Sequence, residues 1–211
     1  MTDGPTGPGA IAARAAALLG GAAAEGRALS GGDLSAVVRV ALADGREAVA
    51  KGGPDPVAEA GMLAAIRDAG APAPAPLAAD RDVLVMEALP EGGGGSDAAL
   101  GEAVATLHAA IGEGYGWEAD YAFAHVAVPN APAPDWPAFW AERRLRPALP
   151  DLPPPLARRV EGLAAALPDR LPAHPPAALL HGDLWGGNVH RAAGRVWLID
   201  PACFRGDAEV D

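Results

Sequence analysis

A chain of 211 residues with a formal charge of −11 and an isoelectric point near 4.8 carries no basic run that could track a nucleic acid, which argues against DNA or RNA as a partner. Half of its residues are apolar, enough to bury a core as one large domain or as two small lobes. Cys203, the single cysteine, allows no internal disulfide, and no unbroken apolar run is long enough to span a bilayer; the expectation is a cytoplasmic protein without a membrane partner.

Taken in chain order, residues 11–19 read as a helix. The stretch AAALLGGAAA is not read as an export signal, because Asp3 precedes it, Arg14 is the only early base and two glycines break it. Val38, Val40 and Leu42 alternate with Arg39, Ala41 and Ala43, a strand pattern, and Asp44-Gly45 turns the chain back into a second strand over 48–51. Asp55-Pro56 starts a helix, Asp as its cap and Pro in its first position, and Gly70 closes it. Residues 71–76 form an extended connector, 82–89 a buried strand, and LPEGGGGS a flexible joint. Ser96 caps a helix with Leu100, Val104, Leu107, His108 and Ile111 on one face. Residues 115–134 read as loop and 135–146 as helix, and Leu156, Val160, Leu163 and Leu167 mark one more apolar helical face. A short strand over 177–180 then leads into LLHGDLWGGNV, a turn at RAAGR and the strand VWLID.

That last hairpin concentrates the polar chemistry. Asp183 and Asn188 are five apart, and Asp200 ends the following strand. This is the spacing of a phosphoryl-transfer catalytic loop: an Asp to accept the proton of an acceptor hydroxyl, then an Asn and an Asp as hard oxygen ligands for Mg²⁺. An isolated H-x-D serves as a turn cap or half a metal site, but HGDxxxxN followed by an apolar strand ending in Asp is far more specific. His181 is read as holding the loop backbone, not as an acid or base. Upstream, Lys51 ends a strand and Glu59 lies in the next helix, the pairing that orients a phosphate-binding lysine; alone, such a pair is as commonly a surface ion pair. Gly31 and Gly32 in SGGDLS would bring backbone N–H groups near phosphates, although glycine pairs are common in turns. The backbones of Glu87 and Leu89, at the end of the strand VLVMEAL, are placed to meet adenine.

With these residues in place, the chain resembles the fructosamine/ketosamine kinase family, relatives of aminoglycoside phosphotransferases and choline kinases. The resembling segments are LSGGDLSAVVRVALADGREAVAK, the helix with Glu59, LVMEAL, LHAAIGEGYGWEAD, DWPAFWAERRLRPAL, LLHGDLWGGNV and LIDPACFRGDAEVD, which cover most of residues 29–211. The pair HGDLWGGNV and IDPACFRGDAEVD is the specific part. The resemblance implies an α+β, protein-kinase-like two-lobed fold: an antiparallel-sheet nucleotide-binding lobe over 1–90 and a mainly helical catalytic and substrate lobe over 91–211. It implies ATP and Mg²⁺ as cofactors, and phosphorylation of the sugar 3-hydroxyl of ketosamines, on glycated small amines or glycated protein lysines. Asp183 would be the base, Asn188 and Asp200 the Mg²⁺ ligands, Lys51 the phosphate contact and Glu59 its partner. Trp185 would line the sugar site, or anchor the loop in the core, and Asp211 would brace the catalytic loop with His181.

Three departures stand out. Ser35 takes the place of the family's Asn after the glycine pair, and DYAFAHV replaces a DNFIG-like run. Family members also continue past the position of Asp211 through several dozen mainly helical residues, so the second lobe is expected to be incomplete and the apolar back of 152–167 exposed. Two other readings stay open at this point: an aminoglycoside or other small-alcohol phosphotransferase, and a catalytically inactive nucleotide-binding fragment.

Overall fold

The computed structural model describes residues 7–29, 36–123 and 126–211. Its first half is built on a five-stranded antiparallel sheet in the order β1-β2-β3-β5-β4, from β1 (Ala23–Ala28), β2 (Val37–Leu42), β3 (Glu47–Gly52), β4 (Pro76–Ala79) and β5 (Val83–Glu87). The alternation in β2 does what its period predicts: Val38, Val40 and Leu42 are buried, with Val38 opposite Ala50 and Val40 opposite Ala48. The turn between β2 and β3 uses Gly45 at φ +88°, and the Asp44 carboxylate accepts the Arg46 N–H at 3.0 Å. Helix α1 (Pro8–Leu18) lays Ile11, Ala12, Ala15 and Ala16 on this face of the sheet, where small side chains let helix and strands approach closely.

Two strands leave no mark in the sequence pattern. β1 (AAEGRA) has no β-branched residue and a register shift at Ala23/Glu25; it is recruited by pairing with β2, and Gly26 makes room for Ala12 of α1. β4 falls at the end of the alanine–proline connector, with Pro76 as the first residue of an edge strand, where its missing N–H costs no ladder bond.

Helix α2 (Pro56–Asp68) starts where Asp55 accepts the Ala58 N–H at 3.0 Å and ends before Gly70 at φ +86°. Its Met62, Leu63 and Ile66 are fully buried in a cluster that includes Leu84 of β5 and also Leu107, Leu179, Leu198 and Cys203 from the second half of the chain. One apolar core therefore continues from the sheet into the part that carries the polar hairpin.

In the second half, α3 (Asp97–His108) is capped by Ser96, which accepts the Ala99 N–H at 3.1 Å. Ala103 and Leu107 are its buried residues, whereas Ile111 is 54% exposed because the helix has ended and the chain turns into a bridge with Ala178. The stretch read as loop holds a short antiparallel ribbon of β6 (Tyr121–Phe123) and β7 (Val126–Val128). The helix predicted over 135–146 changes form along its length. Asp135 caps α4 (Trp136–Trp140), a π turn follows over Ala141–Leu145, and a 3₁₀ turn over Arg146–Asp151 begins beside Pro147, which has no N–H for an α-helical bond. Helix α5 (Pro154–Ala166) forms, but Leu156 and Leu163 remain 42% and 43% exposed and Ala164 is its one buried residue. Two ribbons complete the chain: β8 (Ala178–Leu180) with β11 (Phe204–Gly206), and the hairpin β9 (Val189–Ala192)–β10 (Arg195–Leu198), which turns through Ala193 and Gly194 at positive φ. The glycine-rich joint after β5 is irregular, yet it is packed: a Cβ on Gly95 would collide with the Arg195 carbonyl. Among the described residues no helix is long and apolar enough to cross a membrane.

Candidate active site

β3 delivers Lys51 to the inner end of a cleft between the sheet and the β9–β10 hairpin. Its ammonium donates to Glu59 Oε1 at 2.8 Å and to Asp200 Oδ1 at 3.0 Å. Glu59 projects from the first turn of α2 and its side chain is 3% exposed, so the pair is desolvated. Burial opposes the charged form of Lys51, but the Glu59 and Asp200 carboxylates outweigh it and hold the ammonium above its ordinary 10.5. Burial pushes the Glu59 carboxyl up, against the pull of Lys51.

The segment 181–188 is irregular and is fixed by polar bonds. His181 is fully buried; its Nε2 lies 2.9 Å from the Ile199 carbonyl, to which it donates, which leaves Nδ1 as the acceptor facing the Asp183 N–H at 3.4 Å. Burial pulls the His181 imidazole below its usual range, so the ring is a neutral strut. Asp211, from the far end of the chain, accepts the His181 N–H at 2.6 Å and the Gly182 N–H at 2.8 Å, and its Oδ2 also meets His108 Nε2 at 3.1 Å. Burial alone would raise the Asp211 carboxyl; these hydrogen bonds carry it below the usual range. Gly182 sits at φ +80° with the Ala202 carbonyl where a Cβ would be, so only glycine fits.

Asn188 and Asp183 are locked together. The Asn188 amide donates to both the backbone oxygen and Oδ2 of Asp183, each at 2.8 Å. That commits its nitrogen and leaves the amide oxygen as the acceptor available to the cleft, which Asn188 lines together with Asp200. Asp200 itself adopts φ +54°, uncommon for a residue other than glycine, and uses one carboxylate oxygen on Lys51. Among the described residues no three His, Cys, Asp or Glu side chains gather as a ready-made metal cage. One carboxylate plus one amide oxygen is instead the sparse set that suits Mg²⁺, which completes its shell with phosphate oxygens and water.

The cleft is about 870 Å³. Val37, Val49 and Met86 contribute an apolar slot to its lining, and Lys51, Asn188 and Asp200 contribute polar groups, Val37 lying opposite Lys51 in the β2–β3 ladder. Glu87 and Leu89 border the slot. The Glu87 N–H is spent on the Ala75 carbonyl at 2.8 Å and its carboxylate accepts the Ala75 N–H at 3.1 Å, whereas the Leu89 N–H has no partner among the described residues. Trp185 is 64% exposed at the cleft wall, its ring folded over Gly187, so it is no core anchor. Gly31 and Gly32 lie outside the described residues. A smaller recess of about 390 Å³ has both of its arginines already paired, Arg27 with Glu91 and Arg39 with Glu47 and Glu91.

Lys51, Asn188 and Asp200 thus line one cleft, with Glu59 bonded to Lys51 and Asp183 to Asn188 behind them. The family model of fructosamine kinase matches residues 56–211. The chain belongs to the fructosamine kinase family. A probable ketoamine kinase of Synechocystis sp. is 36% identical over 148 residues, which is 63% of this chain and 48% of that protein. A probable ketoamine kinase of Thermus thermophilus is 36% identical over 201 residues, 90% of this chain and 72% of that one. A crystal structure assigned as a fructosamine-3-kinase of Thermobifida fusca superposes with a TM-score of 0.80 at 32% identity, covering 96% of this chain and 76% of that one. The chain spans about half the length of several curated relatives that it matches.

This fructosamine kinase family member also carries polar groups, at the site and away from it, that the sequence pattern does not single out. His108 stands 103 residues from Asp211, a separation no local pattern reveals. Tyr121 packs on the α2 core beside Leu184, and burial together with the acids Glu59, Asp200, Asp55 and Asp183 holds its phenol well above the usual range. Asn130 is fully buried and takes the Arg144 guanidinium at 2.7 Å, while Arg144 also lies over the Phe139 and Phe204 rings at 4.6 and 4.5 Å. One signal was in plain view: Lys51 is the only lysine in the chain.

Proposed function

We propose that the chain transfers the terminal phosphoryl group of ATP to the 3-hydroxyl of a ketosamine, the sugar adduct of a glycated amine or protein lysine, in the cytoplasm. The observation that carries this reading is Lys51 joined at once to Glu59 and Asp200, with Asn188 held against Asp183 beside it. Family membership supports it, as do the names ketoamine kinase and fructosamine-3-kinase of its relatives.

In this reading residues 1–90 bind the nucleotide and 91–211 carry the catalytic loop and the acceptor. The apolar slot of Val37, Val49 and Met86 takes the adenine, with the Leu89 N–H and the backbone of Glu87 at its edge. Lys51 neutralises phosphate charge and Glu59 aims it. Asp200 and the Asn188 amide oxygen hold Mg²⁺, which offsets charge on the phosphate oxygens when bound. Asp183 accepts the proton of the attacking sugar hydroxyl, and the Asn188 amide fixes the rotamer in which it does so. Gly31 and Gly32 approach the phosphates, Trp185 forms an exposed wall for the sugar, and Asp211 with His181 keeps the loop backbone in register.

The test is coupled ADP release by the purified 211-residue chain with ribuloselysine, fructoselysine or kanamycin, with and without Mg²⁺. Turnover on a ketoamine that requires Mg²⁺ and falls by about 10²–10⁴ in Asp183→Ala, with nucleotide binding kept, is the expected result. Turnover on kanamycin alone moves the chain to the aminoglycoside phosphotransferases, and nucleotide binding without turnover on any acceptor makes it a binding protein.

A further inference from the structure

The joint between β5 and α3 is held from both sides. From the sheet, Arg27 of β1 and Arg39 of β2 both reach the Glu91 carboxylate, and Arg39 also donates to the Leu89 carbonyl at 3.3 Å. From the hairpin, His190 Nε2 donates to the Pro90 carbonyl at 2.8 Å, and the Arg191 guanidinium donates to the Gly95 carbonyl at 2.7 Å and to Asp97 Oδ1 at 2.8 Å. Gly95 lies against the Arg195 carbonyl and Gly94 against the Gly194 nitrogen, so the end of the joint runs along the hairpin, while Gly92 and Gly93 have open space around them. The same hairpin carries the polar end of the cleft: β9 begins one residue after Asn188, and β10 ends two residues before Asp200.

We propose that Arg191, assisted by His190, is a positioning residue that ties the joint to the hairpin, so that the nucleotide slot and the Asn188–Asp200 pair move as one body. The inference rests on reading the cleft as a nucleotide site. Asp97 is 96% exposed, and an ion pair to such a group contributes little. The bonds to the Pro90 and Gly95 carbonyls carry the tie, because no helix or strand satisfies those acceptors. Leu89 and Gly92 from the joint and His190 and Arg191 from the hairpin all line the cleft, so the tie closes its outer edge. A swinging joint would let the adenine slot drift from the metal-binding pair, and such drift of about an ångström is costly in a reaction that depends on placement.

Hydrogen exchange on the whole 211-residue chain tests this with Arg191→Met, Arg191→Lys and, as an arginine of similar exposure that pairs elsewhere, Arg146→Met. In Arg191→Met the amides of 92–97 and of 189–198 should both exchange about fivefold faster, with partial recovery in Arg191→Lys and wild-type rates in Arg146→Met. The dissociation constant of Mg·AMP-PNP should rise by a similar factor of about five. Faster exchange in 92–97 with wild-type rates in 189–198 would reduce Arg191 to a local cap and overturn the proposal. So would faster exchange in both segments with unchanged AMP-PNP affinity. If the wild-type chain binds no AMP-PNP, the nucleotide reading fails instead, and the exchange rates still decide whether the tie exists.

Discussion

Helices α2 and α5 are each thirteen residues long and each begins with proline, yet they end in opposite situations. α2 buries Glu59, Met62, Leu63 and Ile66 and sets one side of the candidate site, while α5 buries Ala164 alone and leaves Leu156 and Leu163 more than two-fifths exposed. The apolar stripe in α5 is the cleaner of the two: Leu156, Val160, Leu163 and Leu167 recur at helical spacing. What separates them is what lies opposite. α2 is wedged between the sheet and the β8 and β10 ribbons, so both of its flanks meet apolar side chains. α5 touches the turns around α4 through Ala164, and Leu167 just beyond it, and has solvent over the rest. An amphipathic pattern states which face wants cover; the neighbours decide whether it is covered.

This contrast can be broken or sharpened by substitution. The largest effect belongs to Glu59→Ala, which leaves Lys51 buried with half its counter-charge; urea unfolding should show a loss of about 3 kcal/mol or more, and nucleotide affinity should fall with it. Ile66→Ala on the same helix should cost about 2–5 kcal/mol, since nothing can collapse into a fully enclosed site. Leu163→Ala on α5 removes the same kind of apolar mass and should cost less than about 1 kcal/mol, because much of that surface is already wet. A Leu163 loss as large as that of Ile66 would mean that α5 is covered in solution.

A pH scan separates the helices without touching either. Lys51 is held above 10.5, so the stability it lends is complete below 10.5 and is lost as pH rises through the folded value. The melting temperature of the wild type should therefore fall more steeply above pH 10.5 than that of Lys51→Met. Tyr115 and Tyr121, both raised chiefly by burial, leave a residual alkaline limb in the variant. α5 contributes nothing to that limb, since its charged neighbours Arg146 and Glu161 pair at the surface.

How much of this was legible follows from what holds each part. α2 could be read at both ends because its signals are local: Asp55 and Pro56 at one, Gly70 at the other. Asp183, Asn188 and Asp200 could be picked out because their spacing is a recognisable pattern; the structure bonds Asn188 to Asp183 and puts Asn188 and Asp200 on the cleft lining with Lys51. β1 and β4 could not, since pairing and not pattern makes them strands. Nor could the brace of the 181–188 segment be read in full. Asp211 could be placed by resemblance, but its contact with His108 closes across 103 residues. The glycine run at 92–95, read as a flexible joint, has a second use that its composition does not show: Gly95 is needed for close approach to the Arg195 carbonyl, whereas Gly92 and Gly93 have open space around them.

Lys51 has one more consequence. A sugar carbonyl condenses with an amine only when the amine is unprotonated and reachable. The sole lysine of this chain is neither: it is buried, clasped by two carboxylates and kept as the ammonium, and every other strongly basic side chain is an arginine that stays protonated. A protein proposed to clear sugar adducts from other molecules therefore offers no lysine on its own surface where such an adduct could start, and should outlast lysine-rich proteins in a reducing-sugar solution.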